Sequence, residues 1–118
     1  MSKVVLITGA SSGFGRSIAE KLSNHDFIVY GTSRNPKEIE GKYKLLKLDI
    51  TEYQDAERIT DYLIDKHGKI DILINNAGIS ITGPVESSDM SEIKRLYETN
   101  FFGQINLIQN IVPHMRNN

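Results

Sequence analysis

Residues 3–16, Lys-Val-Val-Leu-Ile-Thr-Gly-Ala-Ser-Ser-Gly-Phe-Gly-Arg, constrain this chain more than any other stretch. The run Val4 to Ile7 is apolar and rich in β-branched residues, the pattern of a parallel strand buried on both faces. A turn containing Gly9, Gly13 and Gly15 follows, and Phe14, Ile18 and Leu22 then recur at helical spacing. A strand, a glycine turn and a helix in that order present backbone N–H groups and a helix N-terminus to an anion such as phosphate. The spacing is G-x-x-x-G-x-G, which differs from the G-x-G-x-x-G fingerprint. No Lys-Ser/Thr pair follows the last glycine, so the turn is not a P-loop. Taken alone, it also fits an ordinary strand-to-helix turn.

The first helix is expected from about Phe14 to Ser23, stopped by Asn24-His25-Asp26, and a second strand over Phe27–Ser33. Asn35-Pro36 ends that strand, because the residue before proline is pushed out of the helical region. Pro36 to Gly41 amounts to a helical turn at most, and Lys44–Leu48 reads as a third strand closed by Asp49. Thr51 and Gln54 have capping-box spacing and open a helix running to about His67, with Ala56, Ile59, Leu63 and Ile64 on one face. Gly68 supplies its C-terminal stop. Ile70–Ile74 is a fourth strand, followed by Asn75-Asn76-Ala77-Gly78 and a loop with Gly83-Pro84. Ser87 and Ser88 read as caps of a long helical pattern that starts near Asp89, with Glu92 completing a second possible box. Ile93, Leu96, Tyr97, Phe101, Ile105, Ile108 and Ile111 give that pattern one apolar stripe, either as a single helix or as two meeting near Thr99. Pro113 and the tail Asn117-Asn118 end it.

Alternating strands and helices imply βαβ units and an α/β, Rossmann-type doubly wound parallel sheet, here of about four strands in one domain over residues 1–118. Ligands of such sheets bind beyond the carboxyl ends of the strands, which brings together Gly9–Gly15, Ser33–Asn35 and Asn75–Gly78. The formal net charge of −1 argues against nucleic acid or an anionic membrane as partner. The sequence has no cysteine, which excludes disulfides, thiol nucleophiles and cysteine metal sites. The N-terminal apolar run is too short for a signal peptide or a membrane span, so the expected compartment is the cytoplasm.

Several residues carry two readings. At the end of the second strand an Asp or Glu would bond the adenosine ribose and favour NAD. Thr32-Ser33-Arg34 stands there instead, and a hydroxyl with a guanidinium suits a 2′-phosphate. Alternatively, Arg34 is a solvated loop charge. Asp49 either meets an adenine amino group or caps the next helix. Asn75–Gly78 is either a turn cluster or a place where small residues let backbone approach a cofactor. Asn100 falls on the apolar stripe, where a buried amide must find partners. His25, His67 and His114 sit at element ends and read as solvated.

Three motifs in this order and spacing, Thr8–Gly15, Asn75–Gly78 and Asn100-Phe101-Phe102-Gly103, resemble the short-chain dehydrogenase/reductase family across almost the whole chain. The resemblance implies a Rossmann fold and an NAD(P)-dependent oxidoreductase acting on a small carbonyl or alcohol substrate. It implies cofactor-binding roles for Gly9, Ser11, Ser12, Gly13, Phe14 and Gly15. It assigns 2′-phosphate recognition to Ser33 and Arg34, the adenine pocket to Asp49 and Ile50, and the cofactor wall to Asn76, Ala77 and Gly78. Asn100 corresponds to the asparagine of the catalytic tetrad. NADP is the expected cofactor, with NAD less favoured, although Ser12 stands where NADP-preferring members often carry a basic residue.

Members of that family are roughly twice as long, and their catalytic serine and Tyr-x-x-x-Lys pair lie on the next strand and helix. The tyrosine exchanges the proton as hydride moves, and the lysine lowers its pKa. Two pairs here have the same spacing. Tyr43 and Lys47 lie in or beside the third strand, and Tyr62 and Lys66 sit near the wrong end of their helix. This chain alone is therefore expected to bind cofactor without turnover, the alternative being a dinucleotide-binding sensor that is not catalytic by design. An open parallel edge at the fourth strand and an uncovered helix stripe lead to an expectation of self-association.

Overall fold

The computed structural model describes residues 2–37 and 41–117. The expected turn over Pro36–Gly41 and the terminal Asn118 therefore lie partly or wholly outside the described residues. Four parallel strands, β1 (Lys3–Ile7), β2 (Phe27–Ser33), β3 (Lys44–Lys47) and β4 (Ile72–Ile74), form one sheet in the order β3-β2-β1-β4. The helices are α1 (Gly13–Ser23), α2 (Tyr53–His67), α3 (Met90–Tyr97) and α4 (Gly103–Arg116). This is the doubly wound α/β architecture expected from the alternation of elements.

The uninterrupted apolar run of β1 follows from its central position. Val4 and Leu6 face a core built with Ile59 and Leu63 of α2 and Leu107 and Ile111 of α4. Val5 and Ile7 face the opposite core, with Ala19, Ile18 and Leu22 of α1. Val4, Val5, Leu6 and Ile7 are all fully buried, so neither face of this part of β1 can carry a polar residue. Phe14 does not belong to the buried face of α1, because Gly15 and Ala19 make the close approach to the sheet and leave Phe14 84% exposed. Gly68 ends α2 as expected, in the left-handed conformation at φ 74°, its N–H donating to the Ile64 carbonyl at 2.7 Å.

The capping box expected at Thr51 does not form. The Thr51 hydroxyl donates to Asp49 Oδ1 at 2.6 Å, so Glu52 becomes the residue before the helix and makes no side-chain cap. Asp89 likewise precedes α3 without a side-chain cap, and the Ser87 and Ser88 hydroxyls close a turn on the Pro84 carbonyl instead of capping the helix. His67 is also more than a solvated end, because its Nε2 lies 2.7 Å from the Tyr30 hydroxyl.

Residues 90–116 form one continuous helical path, interrupted by a π-type turn over Glu98–Phe102 in which the Gly103 N–H donates to the Glu98 carbonyl. Neither a plain single helix nor two separate ones describes it. Pro113 lies inside α4 and does not end it. Its fixed φ is compatible with a helix, so the cost of Pro113 is the missing N–H toward the Gln109 carbonyl one turn earlier, which the helix tolerates. The apolar stripe also divides in two. Gly103, Leu107 and Ile111 are buried, whereas Tyr97 (56%), Phe101 (53%), Ile105 (37%) and Ile108 (38%) form an exposed neighbouring stripe.

At the end of the sheet where β1 begins, Asp71 Oδ2 accepts the Val4 N–H at 2.7 Å and pairs with Lys69 Nζ at 3.1 Å. The Val4 hydrogen bond, with Lys69 beside it, holds the Asp71 carboxyl below the usual carboxylate range. A carboxyl depressed by folding stabilises the protein above its unfolded pKa, and that contribution is lost as pH falls through the folded value. Asp71→Ala is expected to melt lower than the parent at neutral pH and to show a shallower loss of stability on acidification, measured as thermal midpoints across the acid range. At Gly103, a Cβ would run into the Ile50 carbonyl and lie 2.8 Å from the Glu98 carbonyl. Gly103→Ala should therefore cost about 2–3 kcal/mol in denaturant unfolding, as overpacking against fixed backbone does.

Candidate functional site

The carboxyl ends of the four strands open into one cleft of about 460 Å³. The turn after β1 supplies its floor. Gly9 (φ 66°) and Gly13 (φ 59°) both adopt left-handed backbone, and a Cβ on Gly9 would come within 2.9 Å of the Ala77 Cα. Ser12 precedes α1 in extended conformation and makes no side-chain cap, so no side chain of Ser12 occupies the first amides of α1. A helix N-terminus carries partial positive charge as well as donors.

The opposite wall, residues 76–79, is tied down from two directions. From the β1 side, Thr8 Oγ1 accepts the N–H groups of both Asn76 and Ala77 at 3.0 Å, and Asn76 Nδ2 donates to the Gly9 carbonyl at 3.0 Å. From the helical side, Gln104 Nε2 donates to the Ala77 carbonyl at 2.8 Å. Asn100, inside the π-type turn, pairs reciprocally with Ile79: its Oδ1 accepts the Ile79 N–H at 2.8 Å and its Nδ2 donates to the Ile79 carbonyl at 2.7 Å. The amide expected to need partners thus finds both on one residue. Gly78 is small where a Cβ would stand 3.1 Å from Asn100 Oδ1.

The third wall is formed by the ends of β2 and β3. Thr32 is buried, its Oγ1 accepting the Gly9 N–H at 3.3 Å and its carbonyl the Ala10 N–H at 2.9 Å. Ser33 and exposed Arg34 follow at the rim. Asp49 lies across from them, its Oδ1 accepting the hydroxyl and the N–H of Thr51. The Thr51 hydroxyl in the first place, then the Thr51 N–H and the charges of Arg34 and Arg95, hold the Asp49 carboxyl below the usual range. Asp49 therefore fastens the turn that enters α2 and does not cap α2 itself, while remaining in the cleft as an anion at neutral pH.

The cleft brings together Gly9, Ser11, Ser12, Gly13 and Phe14 with Ser33 and Arg34, with Asp49 and Ile50, and with Asn76, Ala77 and Gly78. Two of the expected site residues stand behind the wall. Gly15 is buried where a Cβ would strike the Gly9 carbonyl and Asn76 Nδ2, so its absence of side chain allows α1 to close on the turn. Asn100 holds Ile79, and its neighbour Thr99 lines the cleft in its place. The sequence places Thr8 in the glycine-turn motif and Thr32 at the end of the second strand without giving either, or Gln104, a role in tying the cleft walls together. Thr8 was signalled by a hydroxyl at the end of an apolar strand, and Gln104 by its place one helical turn beyond Asn100.

The two Tyr-x-x-x-Lys decoys are both absent from the cleft lining. Lys66 Nζ sits 5.7 Å from the ring of Tyr62, which itself stands edge-on to Tyr30. That cluster adjoins His67, whose helix leads through Gly68 to Asp71, beside the start of β1 and away from the cleft. Among the described residues no group of His, Cys, Asp and Glu side chains could hold a metal ion, and no helix is long and apolar enough to cross a membrane.

The family model for short chain dehydrogenase matches residues 3–118. A 3-ketodihydrosphingosine reductase of Bacteroides thetaiotaomicron is 43% identical over 114 residues, covering 97% of this chain and 42% of the relative. The ligand-free aldohexose dehydrogenase of Thermoplasma acidophilum superposes with a TM-score of 0.92 at 33% identity, covering 99% of this chain and 46% of that one. ElxO with NADP bound superposes with a TM-score of 0.90 at 28% identity, covering 99% and 52%. The chain spans about half the length of the relatives it matches. With the glycine turn, the Asn76–Ile79 wall and the Asn100 clamp in place, the match over nearly every residue makes this chain a member of the short chain dehydrogenase family of oxidoreductases.

Proposed function

We propose that this chain is the dinucleotide-binding part of an NADP-preferring oxidoreductase that moves hydride between NADPH and a carbonyl or alcohol carbon. The observation that carries the reading is the continuity of one cleft from the uncapped start of α1 to Ser33 and Arg34, with no carboxylate at the end of β2. The residues present fit a dinucleotide. Gly9 and Gly13 keep the turn free of side chains where a pyrophosphate would approach, and the first amides of α1 supply donors and positive potential. Arg34 and Ser33 offer a guanidinium and a hydroxyl to a 2′-phosphate. Asp49, kept ionised by Thr51, offers an acceptor to an adenine amino group, with Ile50 beside it.

When bound, a nicotinamide dinucleotide supplies or accepts the hydride. The chain's own residues position and exclude. Ala77 and Gly78 offer a wall without bulky side chains, and Asn100 and Gln104 keep that wall from moving by bonding its backbone. Phe14, exposed at the cleft, offers an apolar surface to a ring. Neither tyrosine–lysine pair reaches the cleft, so the proposal assigns nucleotide binding, not turnover, to the chain taken by itself. Relatives named as a reductase and as a dehydrogenase support redox chemistry at a carbon–oxygen bond in general, with a small molecule as substrate. A cytoplasmic setting accompanies the reading.

Calorimetric titration of the 118-residue chain with NADPH and NADH tests the proposal. NADPH should bind at least tenfold more tightly than NADH, and Arg34→Ala should remove most of that difference, as loss of a charge-assisted bond worth roughly 1.5–3 kcal/mol would. Equal affinity for both nucleotides in the parent would overturn the NADP preference, and binding of neither would overturn the dinucleotide reading.

The proposal extends to self-association of this chain through the exposed stripe of Tyr97, Phe101, Ile105 and Ile108 on the helical segment. Contiguous apolar surface of this kind drives association. Sedimentation should show a concentration-dependent dimer or larger species that reverts to monomer in Phe101→Lys/Ile105→Lys. A parent that stays monomeric at high concentration would refute it.

A further inference from the structure

Tyr43 is buried to 4% exposure just before the outer strand β3, at the amino end of a strand whose carboxyl end borders the cleft. Its hydroxyl donates to the Ala10 carbonyl at 3.2 Å in a buried hydrogen bond between residues far apart in the chain. The joint is shaped for this contact. Ala10 is fully buried and sits over Gly31 of β2, where a Cβ would stand 2.5 Å from the Ala10 Cβ and 3.5 Å from Tyr43 Cε2. A side chain at Gly31 would therefore displace Ala10, while the Tyr43 ring packs against the same spot in ordinary contact. On the other flank the Ala10 N–H donates to the Thr32 carbonyl at 2.9 Å.

The carbonyl that Tyr43 holds belongs to the peptide plane joining Ala10 to Ser11. No peptide bond in the described chain is cis, so the Ser11 N–H points antiparallel to that carbonyl, away from Tyr43. Ser11 lines the cleft next to Ser12 and Gly13. Fixing the carbonyl on one side of the plane fixes the donor on the other. Without the hydroxyl, the Ala10 carbonyl would be buried with this partner lost, and rotation of the plane would be the direct way to recover one.

We infer that Tyr43 is a positioning residue that orients the Ala10–Ser11 peptide of the glycine turn, and with it the backbone donors offered to the pyrophosphate of a dinucleotide. The inference rests on the dinucleotide reading above. It gives Tyr43 of the Tyr43/Lys47 pair a role unrelated to proton transfer, carried out from behind the cleft wall.

The test is Tyr43→Phe in the 118-residue chain, which removes one oxygen and leaves the ring in place. Two ligands are titrated: NADPH, which carries the pyrophosphate, and adenosine 2′-monophosphate, which lacks it. The expected result is a roughly tenfold loss of NADPH affinity with adenosine 2′-monophosphate binding changed by less than about twofold. Amide hydrogen exchange without ligand should show Ser11 exchanging faster while the β1 amides keep their protection. Unchanged NADPH affinity in the variant would overturn the inference and leave the dinucleotide reading intact. Equal loss for both ligands, or loss of β1 protection, would also overturn it, since Tyr43 would then support the fold generally. Failure of the parent chain to bind either ligand would overturn the dinucleotide reading and this inference together.

Discussion

The buried hydroxyl of Thr8 accepts the N–H groups of Asn76 and Ala77, and from that point two segments far apart in the chain become one surface. β1 and β4 are paired only over Val5–Ile7 and Ile72–Ile74, so the sheet by itself would let the chains diverge once the strands end. Thr8 extends the pairing past the last ladder hydrogen bond, and Asn76 Nδ2 on the Gly9 carbonyl extends it again. A buried hydroxyl and a partly buried amide are costly unless paired, so this arrangement exists only when both segments are in register. The two glycines beside it have related reasons. A side chain at Gly9 would collide with Ala77, and one at Gly15 would collide with Gly9 and Asn76.

The helical side of the cleft completes what Thr8 begins. Asn100 satisfies both backbone groups of Ile79, and Gln104 satisfies the Ala77 carbonyl. The π-type turn places Asn100 in the same stretch that Gly103 presses against the Ile50 carbonyl. Such turns recur at functional positions because one extra residue per turn re-aims side chains without ending the helix. The wall at residues 76–79 is therefore held by side chains on its backbone from both directions, although β4 contributes only a short strand. Rigid backing of this kind is what a site needs if a ligand is to meet preformed backbone donors instead of paying to order them.

Much of this was legible in the residues. The apolar run of β1, the glycine turn, the alternation of elements and the polar Asn100 among apolar neighbours each have a local physical cause, and each held. The misreadings share a cause as well. Phe14 shares helical spacing with Ile18 and Leu22, and Tyr97, Phe101, Ile105 and Ile108 share a stripe with Ile111, yet these five are exposed, because an apolar pattern alone does not say which large side chains a face buries. The buried faces instead contain Gly15, Ala19 and Gly103, residues that allow close backbone approach and contribute little to an apolar count. Thr51 has the spacing of a cap relative to Gln54, but its hydroxyl is taken by Asp49, a competition that spacing alone does not reveal.

By itself the sequence determined the order and type of the elements, the parallel sheet and the meeting of three loops beyond its carboxyl edge. These follow from periodicity and from the conformational freedom of glycine, which act over a few residues. Only the tertiary structure decided which face of each helix is buried, that Asn100 and Gln104 act on the backbone of the cleft wall, that Thr8 joins β1 to the segment after β4, and that Tyr43 reaches Ala10. Each of these depends on a hydrogen bond or a close approach between residues distant in sequence, and no local pattern encodes the partner of such a contact.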